Sequence, residues 1–308
     1  MNILLAIQGA ISQGVLWGVM ALGVYITFRL LDIADLSVDG SFATGGAVCA
    51  VAILHGVDPL IAVLCAFISG LIAGGITGLL HTKCQIPAIL AGILTQIGLY
   101  SINLRIMSRS NLPLLASPTM FKIFHTATHI LSSWSVLIIG VIFVLVVSIL
   151  LYWFFGTEMG SAIRATGNNE HMVRALGVNT NTTKLLGLML SNGLVALSGA
   201  LVTQSQGYAD VKQGIGAIVI GLASIVIGEV IFRGKGNFFV ALMSIVVGSI
   251  IYRIIVAIVL QLGLSTDDLK LFTAILVGIA LTVPVVLDRR KQLAMYKKLT
   301  GKEMGDHA

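Results

Sequence analysis

Nine apolar runs, near residues 11–31, 37–54, 59–80, 87–106, 131–155, 184–204, 214–232, 237–260 and 270–287, leave this chain few ways to fold. A helix needs about 20 apolar residues to cross a bilayer core, and most of these runs approach or pass that length. Only 10% of the residues are charged, against about 25% in a soluble domain. The sequence therefore predicts an all-α integral membrane protein. It would be a polytopic helical bundle of about eight to ten transmembrane helices over residues 1–288, with a basic tail at 289–308.

The net charge of +6 would suit a nucleic-acid binder, but the basic residues sit at span ends and in the tail. Placing the tail in the cytoplasm puts 81–86 and 156–183 inside, 107–130 outside and the N-terminus outside. Thirteen of the 19 Lys and Arg residues then lie on the inner side, as the positive-inside rule requires. This predicts a multi-pass protein of the cell (inner) membrane with a cytoplasmic C-terminus, lipid as its surroundings and no nucleic-acid partner. The N-terminus lacks a basic segment before its apolar residues, so no cleavable signal peptide is expected. Cys49, Cys65 and Cys84 have no CxxC spacing and read as small buried apolar residues. Gly70, Gly74 and Gly78 fall on one helix face and predict close packing against a neighbouring helix. The segment 107–130, with Pro113 and Pro118, predicts a short helix or cap at the outer end.

The longest polar interruption runs from Gly156 to Lys184. Gly167 or Asn168 could cap a helix whose first turn holds Glu170, a favourable charge at the positive end of the dipole. Met172, Val173, Ala175 and Leu176 give that helix an apolar face, and Gly177 supplies the stop. A helix this short is marginal alone in water. It needs a surface, either its own membrane domain or a partner's groove. A solvated connecting loop in an ion-coupled secondary carrier is the competing reading.

The stretch from Gly160 to Asn179 resembles the cytoplasmic loop of the ABC permease family that serves branched-chain amino acids, ribose and other simple sugars. The resemblance implies a type II-importer-like permease. It also implies a coupling helix that docks an ATPase subunit through Asn168, Asn169, Glu170, His171, Met172, Val173, Arg174, Leu176 and Gly177. Met172-Val173 stands where the family has a small residue. Asp35-Leu-Ser-Val-Asp-Gly-Ser41 is similar to the D-L-S-V-G-S that opens the family's second helix, with Asp39 added. The span count puts this break at the cytoplasmic edge, where Asp32, Asp35 and Asp39 would be interfacial charges near Arg29. The other placement makes Ser37, Asp39 and Ser41 part of the translocation path. Gln204 to Gly228 resembles a third family stretch; Tyr208 and Asp210 would sit at its outer mouth, and Glu229 would pair with Arg233 four residues on.

No GxxxxGK[ST] occurs, so ATP and magnesium are expected on a separate ATPase subunit, with no cofactor in this chain. The six histidines are scattered; His125 and His129 share a helical spacing without a third ligand, and no metal or catalytic residue is assigned. The implied partners are the ATPase, an extracytoplasmic solute-binding protein and a second copy of the chain. The implied substrate is a branched-chain or aromatic amino acid, with a simple sugar or nucleoside as the alternative.

Overall fold

The computed structural model describes residues 3–261 apart from 116, 130 and 233–236, together with 271–275, 277–279 and 282. Helix α1 (Ile3–Tyr25) runs without a break into a π-helical turn, Ile26–Leu30. After the irregular segment 31–37 come α2 (Val38–Leu54), α3 (Pro59–Thr82) and α4 (Ala88–Met107). A strand β1 (Asn111–Pro113) and α5 (Met120–Thr128) precede α6 (Ser132–Gly156). Two short helices, α7 (Glu158–Asn168) and α8 (Glu170–Ala175), lead into α9 (Thr180–Gln206). Strand β2 (Tyr208–Asp210), α10 (Ala217–Ile231) and α11 (Phe238–Gln261) follow. Half of the ninth run, residues 270–287, and all of the tail at 289–308 lie outside the described residues.

Among the described residues, six helices are long and apolar enough to cross a membrane, and two of the predicted crossings fall short. Helix α2 has 17 residues and α10 has 15. At 1.5 Å per residue these reach about 25 and 22 Å, less than the ~30 Å hydrocarbon core. The run at 37–54 exceeds its helix by Ser37 alone, and the run at 214–232 exceeds its helix by Gly214, Ile215, Gly216 and Phe232.

Helix α9 is the axis of the bundle. It is buried along most of its length, and α2 and α3 close on it from two sides. The predicted glycine stripe makes this contact on α3. A Cβ at Gly70 would lie 2.3 Å from the carbonyl oxygen of Asn192, and one at Gly74 would lie 2.3 Å from that of Leu188. On α2, a Cβ at Gly45 would lie 1.9 Å from the carbonyl oxygen of Ala196. In lipid, helices gain little from hiding apolar surface from one another, so van der Waals packing at such small-residue contacts drives association. The opposite face of α3 exposes Leu60, Ile61, Leu64, Ile68, Ile72 and Ile76, as a lipid-facing surface does.

The two ends of the bundle differ. One carries α7, α8 and the 83–87 turn. The other carries the β1–β2 pair, antiparallel with Asn111 opposite Asp210 and Pro113 opposite Tyr208, and α5, as the 107–130 segment predicted. Lys122 Nζ donates to the carbonyl oxygens of Leu115 (2.7 Å) and Ser117 (3.2 Å), tying down the loop that leads into α5. Of the cysteines, only Cys49 is buried; Cys65 lies on the exposed face of α3 and Cys84 in the exposed turn after it.

Candidate translocation and docking sites

Two helix ends meet halfway along α9. Asn192 is placed about 18 Å from the first residue of that helix, given the 1.5 Å rise. Its Nδ2 donates to Asp35 Oδ2 (2.7 Å), and its Oδ1 accepts from Ser41 Oγ (2.5 Å). Asp35 Oδ1 accepts from the backbone N–H of Ser37 (2.9 Å) and from its hydroxyl (2.5 Å). Asp35 is 2% exposed, and Ser37 and Ser41 are fully buried. The segment 31–37 therefore climbs from the α7–α8 end to mid-depth, burying Leu31, Ile33 and Asp35 while Asp32 and Ala34 stay exposed. This corrects the expected edge placement of Asp35 and Asp39. Hydropathy records how apolar a run is but not how deep its first residue lies, and Asn192 supplies the partner that makes the deep position tolerable.

Asp39, in the first turn of α2, accepts from the backbone N–H of Gly216 at Oδ2 (2.8 Å) and of Ile218 at Oδ1 (3.0 Å). It thereby caps α10 from another helix, placing a carboxylate at the positive end of that helix. Gly214 allows this approach, since a Cβ there would lie 1.9 Å from the Asp39 carbonyl oxygen. Both α2 and α10 thus begin near mid-depth, where Ser37 and Ser41 face Asn192 of α9 and Asp39 faces the start of α10. Tyr208 and Asp210 do not join them. They lie on β2 at the far end, where Asp210 accepts from Asn111 Nδ2 (3.1 Å) and from the N–H of Lys212 (2.7 Å). Asn192 was missed in the sequence, although a lone Asn inside an apolar run is itself a signal, because a polar side chain at that depth must find a partner.

The polar interruption forms two helices rather than one. Thr157 caps α7, and Asn169, with φ −158°, breaks the chain and caps α8 through Oδ1, which accepts from the N–H of Met172 (3.0 Å). The cap is therefore Asn169, one or two residues beyond the expected Gly167 or Asn168, which continue α7. Gly177 adopts φ +85°, a conformation glycine reaches without strain, and ends α8 as predicted.

Glu170 fixes α8 in place. Its Oε1 accepts from Arg174 Nη2 (2.8 Å) and Thr180 Oγ1 (3.1 Å), and its Oε2 accepts from Lys184 Nζ (2.7 Å). The Lys184 hydrogen bond chiefly holds the Glu170 carboxyl below the usual carboxylate range. A depressed folded pKa stabilises above the unfolded value and loses that contribution as pH falls through the folded one. Glu170→Gln should therefore raise amide exchange over 169–180 at neutral pH, by about 1 kcal/mol of local stability. Wild type should approach the variant only as pH drops below the ordinary carboxylate range. Equal exchange in both proteins at pH 7 would remove this role.

The nine predicted docking residues divide by face. Val173 is 3% exposed, turned inward on a helix whose neighbours are α7 and α9. Met172 is 50% exposed and Leu176 74% exposed, and Asn168, Asn169, His171, Arg174 and Gly177 also face out. Beside α8 opens a groove of about 640 Å³ lined by His81, Gln85, Pro87, Glu170, Arg174 and Asn181. Beneath α7, a Cβ at Gly167 would lie 1.9 Å from the carbonyl oxygen of Leu30 in the π turn. From that turn Arg29 Nε reaches Glu229 Oε1 at 2.8 Å. The expected partner of Glu229, Arg233, lies outside the described residues; a π turn more than 190 residues earlier supplies the cation instead.

Comparison with known proteins fits this geometry. Residues 6–283 match the family described as "Branched-chain amino acid transport system / permease component". The chain is 41% identical over 271 residues to a tyrosine transport system permease protein of Clostridioides difficile (strain R20291), covering 88% of each chain. It is 28% identical over 183 residues to the ribose import permease protein RbsC of Escherichia coli (strain K12), covering 59% of this chain and 56% of that one. Among solved structures, a metal-chelate-type ABC transporter in an inward-facing conformation matches with a TM-score of 0.50 at 15% identity, over 91% of this chain and 84% of that one. That likeness is one of fold.

Proposed function

This chain belongs to the branched-chain amino acid and simple-sugar permease family of ABC importers, and on that premise we propose that it carries an amino acid, aromatic in preference, inward across the cell membrane. It is a transport subunit with the type II importer fold. ATP would be hydrolysed by a separate ATPase subunit docked on α8, and a solute-binding protein would deliver substrate to the β1–β2 end. A second copy of the chain would complete the pathway, since closed two-fold pairing is the commonest assembly. The α7–α8 end and the C-terminus would face the cytoplasm.

The observation that carries the docking reading is the split of α8. Val173 anchors it inward, the Glu170 network holds it rigid, and Met172 and Leu176 are left facing outward in an aqueous loop. Exposed apolar side chains on a rigid, capped helix are what a partner's cleft would take up. Leu176→Asp and Met172→Asp should each weaken ATPase binding by about 30-fold, as loss of an interface hot spot does. Val173→Asp tests folding instead, because its side chain is buried. ATPase binding by detergent-purified protein measures this, and unchanged binding in both exposed-face variants would refute the docking surface.

At mid-depth, Ser37, Asp39 and Ser41 are the part of the pathway we assign to substrate passage. Two helix starts meeting near the membrane centre provide polar backbone where a polar solute must cross. Tyrosine uptake by proteoliposomes tests the substrate class. Uptake of ribose in preference to tyrosine would favour the sugar reading suggested by the more distant relative.

A further inference from the structure

The π turn at Ile26–Leu30 touches α7, the helix that leads into α8, and is ion-paired to α10. On one side, α7 rests on it through bare backbone, with Gly167 against the Leu30 carbonyl and no side chain between them. Just beyond the turn, Leu31 fills the place a Cβ would take at Gly187 of α9 (2.3 Å), so this part of the chain is wedged on two sides. On the other side, Arg29 holds Glu229 in the last turn of α10. Helix α10 then runs to mid-depth, where its first N–H groups are held by Asp39 of α2. Of the ion pairs among the described residues, the other two lie within the α8–α9 loop region, both on Glu170; Arg29–Glu229 alone joins the π turn to α10. A π-helical turn is rare, occurs mostly as a single turn within an α-helix and recurs at functional positions.

We propose that Arg29 and Glu229 form the joint through which movement of α7 and α8 reaches α10 and, at its far end, the Asp39 cap. This inference rests on the docking reading given above. Both residues are positioning residues that act through α10 without touching the solute. The side chains are 58% and 39% exposed, so the pair contributes little to folding. That exposure makes the proposal testable, since neutral variants should fold like wild type.

The test uses the full complex, permease with its ATPase and solute-binding protein, in proteoliposomes with tyrosine as the probe. The variants are Arg29→Gln, Glu229→Gln and the exchange Arg29→Glu with Glu229→Arg. Each single variant should bind ATPase and hydrolyse ATP as wild type does while tyrosine taken up per ATP falls about tenfold, within the usual range of coupling between sites. The exchange should restore most of it. A second readout needs no substrate. Spin labels at exposed Ile215, just before α10, and exposed Ile68 on α3 should change separation on ATP binding in wild type and stay put in the single variants. Single variants that import per ATP and shift their labels like wild type would overturn the joint while leaving docking intact. Wild type that binds no ATPase at all would overturn both.

Discussion

Gly45→Ala is expected to prevent assembly of the bundle, while Gly98→Ala leaves it unchanged or slightly more stable. The two substitutions add the same methyl group to helical glycines. At Gly45 that methyl would lie 1.9 Å from the Ala196 carbonyl oxygen and 2.5 Å from its carbon, both backbone atoms that no rotamer change can move. At Gly98 nothing lies within 4 Å. Helix α2 would have to lift off α9, stretching the Asp35–Asn192 and Ser41–Asn192 hydrogen bonds that lie one turn away. Overpacking alone costs about 1–3 kcal/mol, and losing those buried bonds adds to it, so a loss beyond ~4 kcal/mol is expected. At Gly98 the alanine gains up to ~1 kcal/mol of helix propensity. Thermal unfolding followed by size-exclusion chromatography in detergent separates these outcomes. A well-folded Gly45→Ala protein with a wild-type midpoint would mean that α2 and α9 do not touch as described.

Asn192→Leu should be nearly as damaging, for a chemical reason instead of a steric one. Leucine keeps the branched heavy-atom skeleton of asparagine with bulkier ends, and it removes the donor to Asp35 and the acceptor for Ser41 in one change. Asp35 is then left buried with only Ser37 for company. Breaking a buried polar pair from one side costs about 3–5 kcal/mol, because the surviving group stays buried without its partner. Ser41→Ala, which deletes one donor and leaves Asp35 bonded, should cost about 1 kcal/mol. The ratio between these two variants is the informative measurement. Equal melting temperatures would show that Asn192 is not the centre of the cluster, and that the start of α2 is held at mid-depth by something else.

Much of this architecture could be read from residue order. The runs at 59–80, 87–106, 131–155, 184–204 and 237–260 became α3, α4, α6, α9 and α11 with ends moved by a few residues. Gly70, Gly74 and Gly78 announced a close helix contact, and Gly177 marked the end of α8, because each statement concerns local geometry. What could not be read was depth and distance. A run's hydropathy is the same whether its helix starts at the membrane edge or halfway across, so the position of Asp35 stayed hidden until Asn192 appeared beside it. Glu229 had a plausible neighbour four residues on, and only the fold brings Arg29 to it. On α8 the sequence marked Val173 and Leu176 alike as apolar, but the segment's seat on the membrane domain turns one inward and the other out.

The place of α9 between α2 and α3 also sets the order of events during biosynthesis. Helix α3 leaves the ribosome roughly a hundred residues before α9 begins, an interval of about 5–20 s at ordinary elongation rates. Through that time the Gly70 and Gly74 notches and the Gly45 notch exist without the backbone that fills them. Acyl chains are the available filler, so closing the bundle is an exchange of lipid for a helix. Slow insertion of α9 would leave a chain that is already threaded through the membrane and still open along its axis, which is the form that membrane quality-control proteases encounter.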